Sequence, residues 1–268
     1  MSWSYLRLSG RNMTTTAILS SLTASRLGAL HREGFVQLPG VLDGSQITTL
    51  RNAIDCLDPQ HWDYSGLLDH YKCVFNRDPL WLPFLDLSGI IELAEAALGT
   101  DCHIIGQTAW RCHPGFVGTK LHLDYLVMEL PQNLLADPAF ELPMQICTAH
   151  FYLDDIDADL CPTRVIPGSH RAGRPPADGE NHWQGCTAQP VLCRAGDVLM
   201  FRSELWHAGS NNQTLDRTRY LLQVHYGRRM VAQKFAPYLH WRFNPIVLAA
   251  ASPRQRRLLG EHQEAEYD

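Results

Sequence analysis

The sequence predicts an α+β fold in which helices pack on a β-sandwich or jelly roll. Two observations carry this. Up to Gly99, apolar residues recur at helical spacing. Beyond it the texture changes to short β-rich runs broken by Pro and Gly. Apolar residues make up 45% of the 268, enough for a substantial core. The length suits one large β-barrel domain or two modest ones, and residues 21–250 are read as a single domain. Residues 1–20 read as a disordered N-terminal tail, and residues 251–268 as a charged C-terminal helix or tail.

In order, Ser21–His31 reads as a helix with Leu22, Leu27 and Leu30 apolar. Gly34–Leu42 reads as a short strand ending in a turn. Asp43–Leu57 reads as a capped helix with Ile47, Leu50, Ile54 and Leu57 on one side, and Ser88–Leu98 as a helix stopped by Gly99. The β-rich runs are Cys102–Trp110, Thr119–Met128, Gln145–Leu153, Arg164–Pro167, Pro190–Leu192, Asp197–Arg202 and Arg219–Tyr226. The long Pro-containing connections Leu130–Leu142 and Arg171–Gln189 are candidate lids at a barrel mouth, with Tyr71 and Phe75 as candidate pocket walls.

Charge and cysteine usage narrow the function. The formal net charge is −5, which argues against nucleic acid or an anionic membrane as partner. No apolar run approaches the roughly 18 residues a membrane helix needs. The N-terminus lacks a secretory signal and the eight cysteines contain no Cys-x-x-Cys pair, so a cytoplasmic protein with reduced, mostly buried thiols is expected. No Gly-x-Ser-x-Gly elbow, P-loop or Gly-x-Gly-x-x-Gly is present.

The chemistry concentrates in His122, Asp124 and His207. A His-x-Asp pair with a distant second His offers two imidazoles and one carboxylate to one face of Fe(II), leaving the other face open. In a strand, His122 and Asp124 project together while Leu123 faces away. Gly196, His207 and Asn211 keep the spacing of the second cupin motif, Gly eleven positions before the metal His and Asn four after it. A ferrous site with three protein ligands commonly binds a bidentate 2-oxo acid, whose far carboxylate calls for a buried Arg fork. Arg217 and Arg219 share one strand parity; Arg219 lies further into the β-rich run, with Leu221 and Gln223 on its face. Gln107, on the strand before His122, is a candidate amide donor to 2-oxoglutarate. His150 is a candidate contact to 2-oxoglutarate or substrate, or a packed core histidine. Tyr125 and Trp206 read as packing walls that fix the ligand rotamers.

The ordered set Gly34–Leu42, His122-Leu-Asp124-Tyr125, Leu153-Asp-Asp155, Arg164–His170, Gly196-Asp197, Trp206-His207 and Asp216–Arg219 resembles the phytanoyl-CoA dioxygenase family of Fe(II)/2-oxoglutarate oxygenases. The resemblance implies a double-stranded β-helix, cupin-like, with flanking N-terminal helices. It implies iron on His122, Asp124 and His207, 2-oxoglutarate on Arg219, O2 as co-substrate, and a small-molecule substrate, with a specialised metabolite favoured. The chain departs from the family at three places. The family's arginine lies eleven positions after the distal His, where this chain has Thr218; Arg219 fits if the intervening loop carries one extra residue, and Arg217 is the alternative. Asp159–Thr163 replaces an Asn-Gly turn, and His150 replaces an aromatic. Related halogenases lack the carboxylate that Asp124 supplies, so hydroxylation, desaturation or another oxidative step is expected. The residues alone also admit a cupin-type metal dioxygenase or isomerase that does not use 2-oxoglutarate, and a non-catalytic jelly-roll binding module.

Overall fold

The structure, a computed structural model, describes residues 21–58, 66–126, 131–135, 137, 140–235 and 239–264. The expected N-terminal tail, part of the first lid and the last four residues lie outside them.

A helix over residues 21–32 (α1) leads into strand β1 (Phe35–Leu38) and helix α2 (Gly44–Asp55). Asp43 caps α2: its carboxylate accepts from the Ser45 and Gln46 amides while the Gln46 side chain returns to the Asp43 amide. Such a box contributes about 1 kcal/mol. Strand β2 (Leu68–Lys72), two 3-10 turns and helix α3 (Ile91–Leu98) follow, with Gly99 ending α3 at φ 107°. Then come β3 (His103–Cys112), the one-turn α4 (Gln132–Leu135), β4 (Ile146–Tyr152) and β5 (Thr163–Val165). The minor strands β6 (His182–Trp183), β7 (Cys186–Thr187) and β8 (Gln189–Pro190) precede β9 (Val198–Arg202), β10 (His207–Gly209) and β11 (Arg219–Gly227). Helices α5 (Pro245–Ala250) and α6 (Pro253–Leu258) close the chain, the latter charged as expected but burying Leu258.

The named strands form two larger antiparallel sheets and the separate β6–β7 hairpin. The major sheet has the order β1-β9-β4-β11-β3-β2, and the minor sheet β10-β5-β8. One face of the major sheet carries Ala109, Ala149, Met200, Leu222 and Val224 into the core shared with the helices. The other face carries Tyr152, Leu199, Phe201 and Leu221 against Val165 and Val191 of the minor-sheet side. Each such fully buried large side chain is worth roughly 1.5–3 kcal/mol of transfer free energy. The layers are therefore helices, major sheet and minor sheet, and the inter-sheet space opens at one end into a cavity.

Several expectations change. Thr119–Met128 is not a strand: among its described residues only His122 forms a bridge, antiparallel to His207. Arg171–Gln189 is not a structureless lid, since it folds the β6–β7 hairpin. Tyr71 and Phe75 are not pocket walls. Both are fully buried in the helix-side core, Tyr71 because alternation along β2 turns it away from the cavity.

Candidate active site

The cavity holds about 500 Å³ and lies between the two sheets. His122, Asp124 and His207 reach it from the minor-sheet side. His122 and His207 exchange backbone hydrogen bonds of 2.9 and 2.8 Å, and the Asp124 amide donates to the Ser203 carbonyl at 3.0 Å. The segment approaches this closely because Gly118 has no side chain; a Cβ there would run into the Gly209 carbonyl. This ladder fragment, rather than strand alternation, brings the pair to one place.

One ligand atom from each residue lies within 4.8 Å of the others. Asp124 Oδ1 is 3.5 Å from His207 Nε2 and 4.0 Å from His122 Nε2. Each imidazole is oriented from behind. His122 Nδ1 lies 2.8 Å from the Lys120 carbonyl and His207 Nδ1 2.9 Å from the Leu205 carbonyl. A carbonyl only accepts, so Nδ1 carries the proton and the neutral ring turns an Nε2 lone pair to the centre. Burial works to raise the Asp124 carboxyl, but His207 and its neighbouring imidazoles outweigh it and hold the group well below the ordinary carboxylate range. Burial lowers the His207 imidazole, but Asp124 outweighs burial and lifts it above its ordinary value. Burial and repulsion from His207 lower His122. Two nitrogen lone pairs and one ionised oxygen form a donor set that suits a divalent transition metal with open positions.

The major sheet supplies the opposite wall. Arg219, Leu221, Gln223 and His225 alternate along β11 and all line the cavity. Arg219 is buried; its Nη1 donates to the Cys161 carbonyl at 2.6 Å and its Nε has no partner. An unsatisfied buried guanidinium N–H is costly, and a carboxylate entering the cavity would satisfy it. Arg217 precedes the strand. It is exposed and spent on Asp157 at 2.7 Å and the Asp155 carbonyl at 3.0 Å. The structure thus separates two arginines that parity could not.

Other candidates fall differently. Gln107 borders the cavity, but its register partner is Val224 and it shares parity with Ala109 on the helix-side face. Its Nε2 lies 3.5 Å from the Trp81 carbonyl, and its Oε1 is buried without a partner. The neighbouring Thr108 and Trp110 hold the cavity face instead. His150 is buried on β4, lines the cavity and accepts from Gln223 at 2.7 Å; burial keeps it neutral. Trp206 is a packing wall, fully buried with its Nε1 donating to the Arg174 carbonyl at 2.9 Å. Tyr125 is 44% exposed and packs no wall. Thr108, Trp110 and His225, which the sequence alone does not single out, also line the cavity and follow from reading alternation outward from Arg219 and across its register partners.

A sequence model of the phytanoyl-CoA dioxygenase (PhyH) family matches residues 30–220. The chain belongs to that family. A Mycobacterium tuberculosis protein of no stated activity is 23% identical over 242 residues, covering 87% of this chain and 84% of its own. The ectoine dioxygenase of Nocardia farcinica is 24% identical over 229 residues, 71% of this chain and 73% of its own. The crystal structure of HygX from Streptomyces hygroscopicus with nickel and 2-oxoglutarate bound matches with a TM-score of 0.64 at 20% identity. It covers 78% of this chain and 88% of that one. HygX was also solved with hygromycin B. At that identity the likeness speaks for the fold, which is the double-stranded β-helix of this PhyH-family chain. Among the described residues no helix is long and apolar enough to cross a membrane.

Proposed function

We propose that this PhyH-family chain is an Fe(II)/2-oxoglutarate-dependent oxygenase that oxidises a C–H bond of a small organic substrate. The convergence of His122, Asp124 and His207, each imidazole presenting Nε2, carries the reading. The partnerless Arg219 Nε on the facing wall supports a dicarboxylic keto acid as co-substrate. A small, concave, partly apolar cavity suits a small molecule, the class of ligand seen in HygX.

Bound Fe(II), with 2-oxoglutarate and O2, supplies the oxidising chemistry, the keto acid leaving as succinate and carbon dioxide. The chain supplies position and shelter. His122, Asp124 and His207 would hold the metal by one face, with Asp124 kept ionised by the imidazoles beside it. Arg219 would hold the far carboxylate of the keto acid through charge-assisted hydrogen bonds. Leu68, Phe116 and Leu221 would keep that wall dry, while His122, with a side chain 44% exposed, would leave its side open to an incoming substrate.

Purified protein supplied with Fe(II), 2-oxoglutarate and O2 should release succinate, and a substrate should accelerate it. His122→Ala should lose at least 100-fold of that release and bind metal weakly by calorimetry. Undiminished turnover in the variant would refute the site. A wild-type protein that binds iron but not 2-oxoglutarate would favour a cupin-type metal enzyme of another class.

A further inference from the structure

The cavity wall contains one side chain whose orientation is forced. His70 of β2 stacks on Trp110 of β3, ring centroids 3.6 Å apart and planes within 9°, which fixes the indole. Trp110 Nε1 lies 2.7 Å from Gln223 Oε1 on β11. An indole N–H only donates, so the amide atom facing it must be the oxygen. Thr108 Oγ1 donates to the same oxygen at 2.9 Å. The amide nitrogen is thereby turned to His150 on β4, where Nε2 lies 2.7 Å away. An amide nitrogen only donates, so His150 accepts at Nε2, and its single proton sits on Nδ1. The register agrees: Thr108, Gln223 and His150 are direct cross-strand partners in one row of the major sheet.

Gln223 Nε2 carries two hydrogens. One serves His150; among the described residues the second meets no acceptor, and Gln223 lines the cavity. The site already places Arg219 on the same face of the same strand. The two are four positions apart, about 13 Å along the backbone. Arg219 stands at one end, and Gln223 stands beside His150, which feels both His207 and Asp124 electrostatically. Arg219, the Gln223 amide and the His122–Asp124–His207 cluster all line one cavity, so a dicarboxylate held by Arg219 within it shares that space with the Gln223 amide. Its neutral N–H adds a donor without adding charge to a wall that already holds a guanidinium.

We propose that Gln223, locked by Trp110, Thr108 and His150, donates its second N–H to the metal-side oxygens of 2-oxoglutarate. The proposal rests on the oxygenase reading above. Gln223 is the binding residue; Trp110 is a positioning residue that acts through it. Because three neighbours fix the amide, the donor is presented before the keto acid arrives.

The test is calorimetric titration of 2-oxoglutarate into Ni(II)-loaded full-length protein, with the nickel titration itself as the check that each variant keeps its metal site. Gln223→Leu should weaken 2-oxoglutarate binding about tenfold, and Gln223→Glu, which sets a carboxylate against the ligand, should weaken it further. Trp110→Phe leaves an aromatic ring to stack on His70 and removes the N–H together with the pyrrole ring that carries it. It should weaken binding severalfold and shift the His150 ring ¹⁵N resonances away from the Nδ1–H tautomer seen in the wild type. Nickel affinity should be unchanged in all three. Wild-type affinity for 2-oxoglutarate in Gln223→Leu, with Arg219→Gln still losing it, would overturn the Gln223 assignment and leave the oxygenase reading standing. Absence of 2-oxoglutarate binding in the wild type would instead overturn the reading beneath it.

Discussion

Two arginines two residues apart illustrate how much depends on the environment of a single side chain. Arg217 is exposed and spent on Asp157, whereas Arg219 is buried with an unsatisfied Nε. Parity along the strand gives both the same direction, so sequence alone left the choice open. What decides it is that β11 begins at Arg219, which lines the cavity, whereas Arg217 lies before the strand and turns to Asp157. Arg217→Ala should therefore leave 2-oxoglutarate affinity within twofold of wild type. Arg219→Lys, which keeps the charge but loses the planar fork, should weaken it more than tenfold by calorimetry. Equal effects of the two changes would contradict the assignment. Gln107 shows the same sensitivity from the other side. Its amide chemistry fits the role, yet a strand reverses its facing at every residue, so Thr108 and Trp110 share the face of Arg219 while Gln107 borders the cavity from the opposite parity.

Elements with strong local signals were legible in the sequence. Helix α2 announces itself by Asp43, Gln46 and its apolar spacing, α3 by the glycine that stops it, and β4, β9 and β11 by dense apolar runs between turns. The segment bearing His122 and Asp124 has the residue pattern of a strand and is not one. Its backbone is tied by isolated bonds to β10 and Ser203, long-range pairings that leave little periodic trace in the sequence. His122 and Asp124 nonetheless lie close together in space, because both sit on one tethered stretch. That tether has a specific weak point. Gly118→Ala places a methyl group against the Gly209 carbonyl and should push the segment away from β10. The expected result is metal binding weakened at least tenfold with the far-ultraviolet circular dichroism unchanged. Unaltered metal affinity would show that the close approach at Gly118 does not position the ligands.

At the scale of the whole molecule, the layers divide the labour. The helix-side core holds the major sheet rigid, and the inter-sheet core sets the distance between the metal-binding side and the Arg219 wall. The helical layer is pinned to the minor-sheet side by His170, whose ring nitrogen donates to the His31 carbonyl at 3.0 Å. Burial, then the Arg202 guanidinium, push the His170 imidazole down to about 3 from an ordinary 6.5. In the unfolded chain it takes up a proton near pH 6.5, while the folded protein resists doing so. Stability is therefore full above that pH and falls as the pH drops toward 3. Between pH 7 and 5 this one group should cost about 2 kcal/mol, seen as a lower denaturant midpoint, and His170→Gln should flatten the slope. An identical slope in the variant would assign the acid sensitivity elsewhere. The central claim is the shared metal centre, and it is tested most directly by an anomalous difference map from crystals grown anaerobically with Fe(II) and 2-oxoglutarate. The expected result is a single strong peak bonded to His122 Nε2, His207 Nε2 and an Asp124 oxygen, with the keto acid running to Arg219. Iron bound elsewhere, or no peak among these three side chains, would contradict it.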